Sequence, residues 1–228
     1  MKKLFIVIGL ILVTDAVIFA QANPFMTDAN SRPLYMRVNY VPDGSPYLFE
    51  EYALAEITLD NNKVYPYIKA KFNLVDKELV YMDDNGNEMV ATSAVKSIRF
   101  FSGVVNGLKQ GEIKLESPGK ALNTKDATTY IAMVDGRAGL LKQISVNFTD
   151  DKKYGQATIT RTFRRKETNY AYFPGKSPEF EKVEKNKSSI IGLFSDRIAE
   201  MTSFIEKNQL KCKSDEDLVR IFQHYNNL

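Results

Sequence analysis

Side chains able to do chemistry are few in this 228-residue chain, which holds one imidazole, His224, and one thiol, Cys212. A serine or cysteine nucleophile needs a base, and His224 is the sole imidazole candidate. It falls in the last turn of the final helix derived below, where the helix dipole favours a cation and ends fray, so it reads as a capping or surface histidine. Cys212, between Lys211 and Lys213, could have its pKa lowered by those charges or alternate inward beside Leu210; we read it as a small apolar filler. One His and one Cys cannot build a structural zinc site. Calcium asks only for oxygens, and Asp83-Asp84-Asn85-Gly86-Asn87-Glu88 superficially resembles an acidic calcium loop. Glu88, however, stands where the sharp-turn glycine would be needed, and the Asn85-Gly86 pair fits a hairpin turn.

Paired carboxylates remain. A glycosidase needs two acids about 5 to 9 Å apart, and Glu50, Glu51 and Glu56, near Tyr47 and Tyr52, are the first place to look. Their plainer reading is a charged loop entering a strand. The absence of Trp weakens any sugar-stacking site, since tyrosine would have to replace the larger indole. Tyr65 and Tyr67 lie on one expected strand face, with Pro66 between them suggesting an edge position. Glycine-rich phosphate loops are absent. The most basic stretch, Arg161 to Lys166, puts Ile159, Arg161, Phe163 and Arg165 on one strand face and reads as a partly solvated strand rather than a phosphate site. The sequence therefore assigns no catalytic, cofactor-binding or metal-binding residues and no cofactor.

The composition is that of a globular chain: 44% hydrophobic and 26% charged residues suffice for a core and exclude wholesale disorder. The start reads as an export signal. Lys2 and Lys3 precede an unbroken apolar run from Leu4 to Val13, and Ala20-Gln21-Ala22 offers small residues for cleavage. A run of that length rises only about 15 Å as a helix, half of a bilayer core, and extending it would bury Asp15. Residues 1–22 are thus expected to be a cleaved signal and 23–33 a polar leader. The mature chain then has no transmembrane segment and lies in the periplasm or outside the cell. Without the signal, 29 basic side chains face 27 acidic ones, which gives no electrostatic reason to expect nucleic acid as a partner.

The elements that would position these groups are mostly strands. Ile68, Ala70, Phe72 and Leu74 alternate with Lys69, Lys71 and Asn73, a pattern of period two with one dry face. Further strands are expected at 34–41, 53–59, 78–82, 88–92, 96–101, 112–115, 128–134, 138–147, 156–163 and 169–173, with hairpin signals at Asn85-Gly86 and Asp135-Gly136. After Pro174-Gly175 the pattern changes. Ile190, Phe194, Ile198, Met201 and Ile205 predict one amphipathic helix over 188–207, and Ser214 with three following carboxylates opens a second over 214–226. The expected fold is α+β, mainly antiparallel β, a meander forming a sandwich or incomplete barrel, with two C-terminal amphipathic helices. Residues 34–228 form one β-rich domain; a split near residue 126 is the lesser alternative.

The exported start, the Asp84-Asn85-Gly86 turn, the stretch Tyr130 to Leu141 and the closing Asp217 to Asn226 resemble a loose group of uncharacterised secreted proteins of gram-negative bacteria. The resemblance implies an exported β-rich protein without a known activity and carries over no functional residues. The function expected is a non-enzymatic binding or scaffold module for an unknown protein or cell-envelope component. The alternative is a carboxylate-dependent hydrolase acting on polysaccharide or peptidoglycan. An enzyme would show two acids converging in a cleft, at least one with a perturbed pKa; a module would show a shallow patch or a strand edge.

Overall fold

The structure, a computed structural model, describes residues 40–105, 108–152 and 158–228. The expected signal, the leader and most of the strand at 34–41 lie outside those residues. The first strands are β1 (Tyr40–Asp43), β2 (Ala53–Leu59), β3 (Val64–Asn73), β4 (Glu78–Met82), β5 (Glu88–Val90) and β6 (Val95–Phe100). Next come β7 (Gly103–Val105) and β8 (Leu108–Gln110), then β9 (Ile113–Glu116), β10 (Tyr130–Val134), β11 (Gly139–Asp151), β12 (Ile159–Tyr172) and β13 (Phe180–Lys182). Three helices close the chain: α1 (Lys187–Leu193), α2 (Ile198–Lys207) and α3 (Asp215–Asn226).

The fold is α+β. An open 11-stranded sheet runs in the order β1-β12-β11-β10-β9-β6-β2-β3-β4-β5, with β13 also on β12, while β7 and β8 pair only with each other. Every pairing is antiparallel except that of β1, which lies parallel to β12. Apart from the β7–β8 pair, the described strands thus form one open sheet. Its dry face carries the alternating residues: Ala70 and Phe72 of β3, Ala55 and Ile57 of β2, Ile98 and Phe100 of β6, and Leu115 of β9 are all buried. These join Ile144 and Val146 of β11 in one cluster, although β3 and β11 are far apart in the strand order. Leu48 shows that the sheet bends over its apolar face, because its N–H bonds Phe72 of β3 while its carbonyl accepts from Arg165 of β12, six places away in the strand order. The segment 44–52 fills the bend: Leu48 and Phe49 are buried, and the Leu48 N–H donates to the Phe72 carbonyl at 2.9 Å.

Three expectations need correction. Of the strands expected at 156–163 and 169–173, residues 156 and 157 lie outside the described residues, and 159–163 and 169–172 are parts of a single 14-residue strand, β12, because the register with β11 runs unbroken from Thr160 to Tyr172 and the partner supplies a bond at every other residue. Tyr65 and Tyr67 do not share a face. One extra residue bulges out of β3 opposite Ala55 and Ile57, and Tyr67, at φ 58°, turns away to lie against Phe101.

The helix expected over 188–207 breaks at 194–197, giving three helices instead of two. Asn186, not Ser188 or Ser189, caps the first by accepting from the Ser189 N–H. Phe194 leaves the helical conformation and packs its ring against Phe173, Phe222 and Tyr225. The break also lets Asp196 accept the Tyr225 hydroxyl at 3.0 Å and leaves Ile198 exposed. A second cluster results, joining Leu140 of β11 and Ala171 of β12 to Met201, Ile205, Leu218, Ile221 and Phe222 of the helices.

The last turn of α3 is fastened to the β10–β11 hairpin. The Asn226 amide oxygen accepts from the Ala138 N–H at 2.8 Å while its nitrogen donates to the Ala138 carbonyl at 2.9 Å, as a neighbouring strand would. Gly136 is required beneath it: its φ is 148°, and a Cβ there would stand 2.5 Å from the Asn226 nitrogen. Asn226→Ala, which strands two backbone groups, is expected to lower stability by about 2 kcal/mol in urea unfolding. Gly136→Ala should cost a similar amount alone and distinctly less in the Asn226→Ala background, where the obstructing amide is gone.

Candidate functional site: the free edge of β12

The longest strand, β12, holds three neighbours. On one side it pairs with β11 from Thr160 to Tyr172. On the other, β1 takes Ile159 to Thr162 and β13 takes Tyr170 to Tyr172, and no strand among the described residues pairs with the stretch between. Residues 164–167 there are exposed. Which backbone groups face outward follows from the alternation of a ladder. The Asn169 carbonyl accepts from the Val183 N–H at 2.9 Å, so Asn169, Glu167 and Arg165 turn both backbone groups away from β11. Arg165 and Glu167 thus present two N–H and two C=O groups along an open edge.

A groove of about 610 Å³ borders this edge, lined by residues of β11, β12, the β13–α1 connection and Asp215. Its dry-face wall is ionic. Lys142 lies between Leu140 and Ile144 on the inward face of β11, and its ammonium meets Asp215 at 2.5 Å and Glu167 at 3.4 Å. Asp215 also accepts from Asn169 at 2.8 Å and pairs with Lys185 at 3.1 Å. Glu167 receives Arg165 at 2.9 Å, and Arg165 donates onward to the Leu48 carbonyl at 3.3 Å. Burial would raise the Asp215 pKa, but the hydrogen bonds from Lys142, Asn169 and Lys185 outweigh it and hold the carboxyl at about 2. Burial likewise opposes the charge on Lys142, and Asp215 and Glu167 together keep its pKa raised. The outward face differs: Arg164 and Lys166 project there with no ion pair among the described residues, and their register partners on β11 are the neutral Asn147 and Ser145.

Two acids, Glu167 and Asp215, therefore converge on one groove, and one has a perturbed pKa. The direction is wrong for a general acid, which needs a pKa held up near neutrality. All four of their oxygens are engaged: those of Asp215 by Asn169, Lys185 and Lys142, those of Glu167 by Arg165 and Lys142. The arrangement is a ladder of charges that joins the start of α3 to the sheet. Sequence reading passed over it, although a lysine between two inward apolar residues of a strand is a legible sign of a buried counter-charge.

The residues singled out in the sequence lie elsewhere. His224 stacks face to face on Phe204 of α2, centroids 3.8 Å apart. Cys212 is fully buried in the helix cluster, where burial pushes its thiol pKa up. The Asp83 carboxylate is held by the Asn85 and Asn87 N–H groups of the hairpin turn and by the Asn87 amide. Glu56 pairs with Arg99 on the outer face of β2, while Glu50 and Glu51 are exposed in the preceding segment, and none of the three lines the β12 groove. Tyr52 donates to Glu88 and lies beneath the Lys71 ammonium, which is 4.4 Å from its ring centre. Among the described residues, no three His, Cys, Asp or Glu side chains gather as a metal ion would require, and no helix is long and apolar enough to cross a membrane. No protein-family model matches the chain, and no curated protein and no solved structure is significantly similar to it.

The ladder makes a pH prediction. The folded-state pKa of Asp215, about 2, lies below its ordinary value of 3.8, so its stabilisation is complete above pH 3.8 and drains away as pH falls toward 2. With its side chain 29% exposed, solvent screening reduces the contribution to about 1 kcal/mol. Asp215→Asn should be less stable than the parent by that amount at pH 7, and the gap should close between pH 4 and pH 2 in denaturant titrations.

Proposed function

We propose that the protein is an exported, non-enzymatic binding or scaffold module that takes an extended segment of a partner as an added strand on β12. The observation that carries this reading is the stretch of β12 between β1 and β13 that no described strand pairs, where four backbone groups face outward beside a groove. An open edge supplies affinity through main-chain hydrogen bonds, and the groove supplies side-chain selection. The bent open sheet, which we infer to be an incomplete barrel, fits such a role because its continuity across β11 holds the edge rigid. Against the hydrolase alternative stands the engagement of both groove carboxylates by protein donors, one of them at a lowered pKa.

Amide hydrogen exchange tests the edge directly. In the free protein the Arg165 and Glu167 amides should exchange much faster than the Lys166 amide, which faces β11, and partner binding should slow the first two. Glu167→Pro, which removes one outward N–H, should abolish capture of a cross-linked envelope partner, whereas Glu167→Ala, which removes the same carboxylate from Lys142 and Arg165 but keeps the N–H, should retain it. Protection of Arg165 and Glu167 in the isolated protein, or release of products from a glycan that Asp215→Asn no longer releases, would overturn the proposal.

A further inference from the structure

The charges along the edge say what the added strand must carry. We infer that β12 recognises an extended peptide with acidic residues at alternate positions, whose carboxylates face Arg164 and Lys166; this rests on the strand-addition reading above. Arg164 and Lys166 point to the outer face, two residues apart, and across the ladder on β11 they meet Asn147 and Ser145, which bring no negative charge. Neither takes part in an ion pair among the described residues, whereas Arg165 and Lys142 on the opposite face are already matched by Glu167 and Asp215. A strand laid on the free edge would place its own side chains beside Arg164 and Lys166 with the same two-residue period. On the other face it would meet Arg165 and Glu167, which neutralise each other and ask for no charge.

The same positions argue against a second copy as the occupant. Two β12 edges related by a two-fold axis pair antiparallel, which sets Arg164 and Lys166 of one copy against the like charges of the other. Lysine and arginine on an edge also discourage indiscriminate pairing. What distinguishes recognition from mere protection here is that Arg164 and Lys166 have no ion-pair partner among the described residues, whereas Lys142, Arg165 and Lys185 of the ionic ladder each have a carboxylate.

The test is binding of short, capped, fluorescent peptides to the full chain, measured by anisotropy at low and at moderate salt. One probe alternates glutamate with threonine; two others replace each glutamate by glutamine or by lysine. The glutamate peptide should bind about tenfold more tightly than the glutamine peptide, with the difference shrinking as salt rises. Arg164→Glu with Lys166→Glu, both at exposed positions, should transfer the preference to the lysine peptide. Equal binding of the glutamate and glutamine peptides, with protection of the Arg165 and Glu167 amides, would sink the acidic specificity and leave strand addition standing. Failure of all three peptides to bind, without protection of those amides, would overturn both. Sedimentation showing a dimer that the charge reversal does not disrupt would assign the edge to a second copy instead.

Discussion

The β11–β12 hairpin is the constraint on which the molecule depends, because one face of β11 serves two cores. Leu140 belongs to the helix cluster and Ile144 with Val146 to the sheet cluster, with Lys142 between them. A strand cannot move its face piecemeal, so the register that buries Ile144 also fixes Leu140 beneath the helices. Lys142 would be costly in that position without a counter-charge, and Asp215 and Glu167 provide it. The ionic ladder is thus a consequence of placing two apolar clusters on one strand. It specifies where α3 begins, since Asp215 sits one residue past the Ser214 cap. At the other end of α3, Asn226 repeats the lesson with neutral groups, holding Ala138 by bonds that a strand would otherwise make.

The free edge follows from the same geometry. β12 needs its full length to cover β11, but its outer neighbours are short: β1 contributes 4 residues and β13 contributes 3. Gly44 lets the chain leave β1 close to the Phe163 carbonyl, at φ 85°, and dive under the sheet as the segment that fills the bend. That departure removes β1 from the edge at the point where β12 still has residues to pair. On the far side, Val183 makes the last ladder bond before the chain turns toward Asn186 and α1. The gap is framed by two structural needs, and its width is set by them.

Much of this architecture could be read in the chain. The alternation at Ile68 to Leu74, the Asn85-Gly86 turn and the Ser214 cap each act over a few residues, and each appears where local chemistry puts it. What escaped was non-local. The alternation around Arg161 to Lys166 already reads as a partly solvated strand, but nothing in Glu167 and Thr168 announces that it continues unbroken into 169–173 until β11 supplies the partner. The stripe from Ile190 to Ile205 satisfies helical spacing, yet the packing of Phe194 and the Asp196–Tyr225 hydrogen bond outweigh continuity of the helix. The candidate site belongs to this second kind. It consists of backbone groups made available by where other strands stop, and of cations distinguished from their neighbours only by the face on which the register places them.

Edges of this kind pose a contradiction that charge alone resolves. An open strand must be unattractive to copies of itself and to stray unfolded chains, yet accessible to a chosen partner. Apolar side chains at positions 164 and 166 would welcome any extended segment. A carboxylate and an ammonium in alternation would welcome a second copy in the right register. Two cations of like sign on one face, unmatched among the described residues, repel the antiparallel self-pairing, and on the proposal of strand addition the same device that guards the edge selects an acidic strand to close it. The balanced Arg165–Glu167 pair on the reverse face completes the arrangement, because it leaves the charge discrimination of the edge to the outer face.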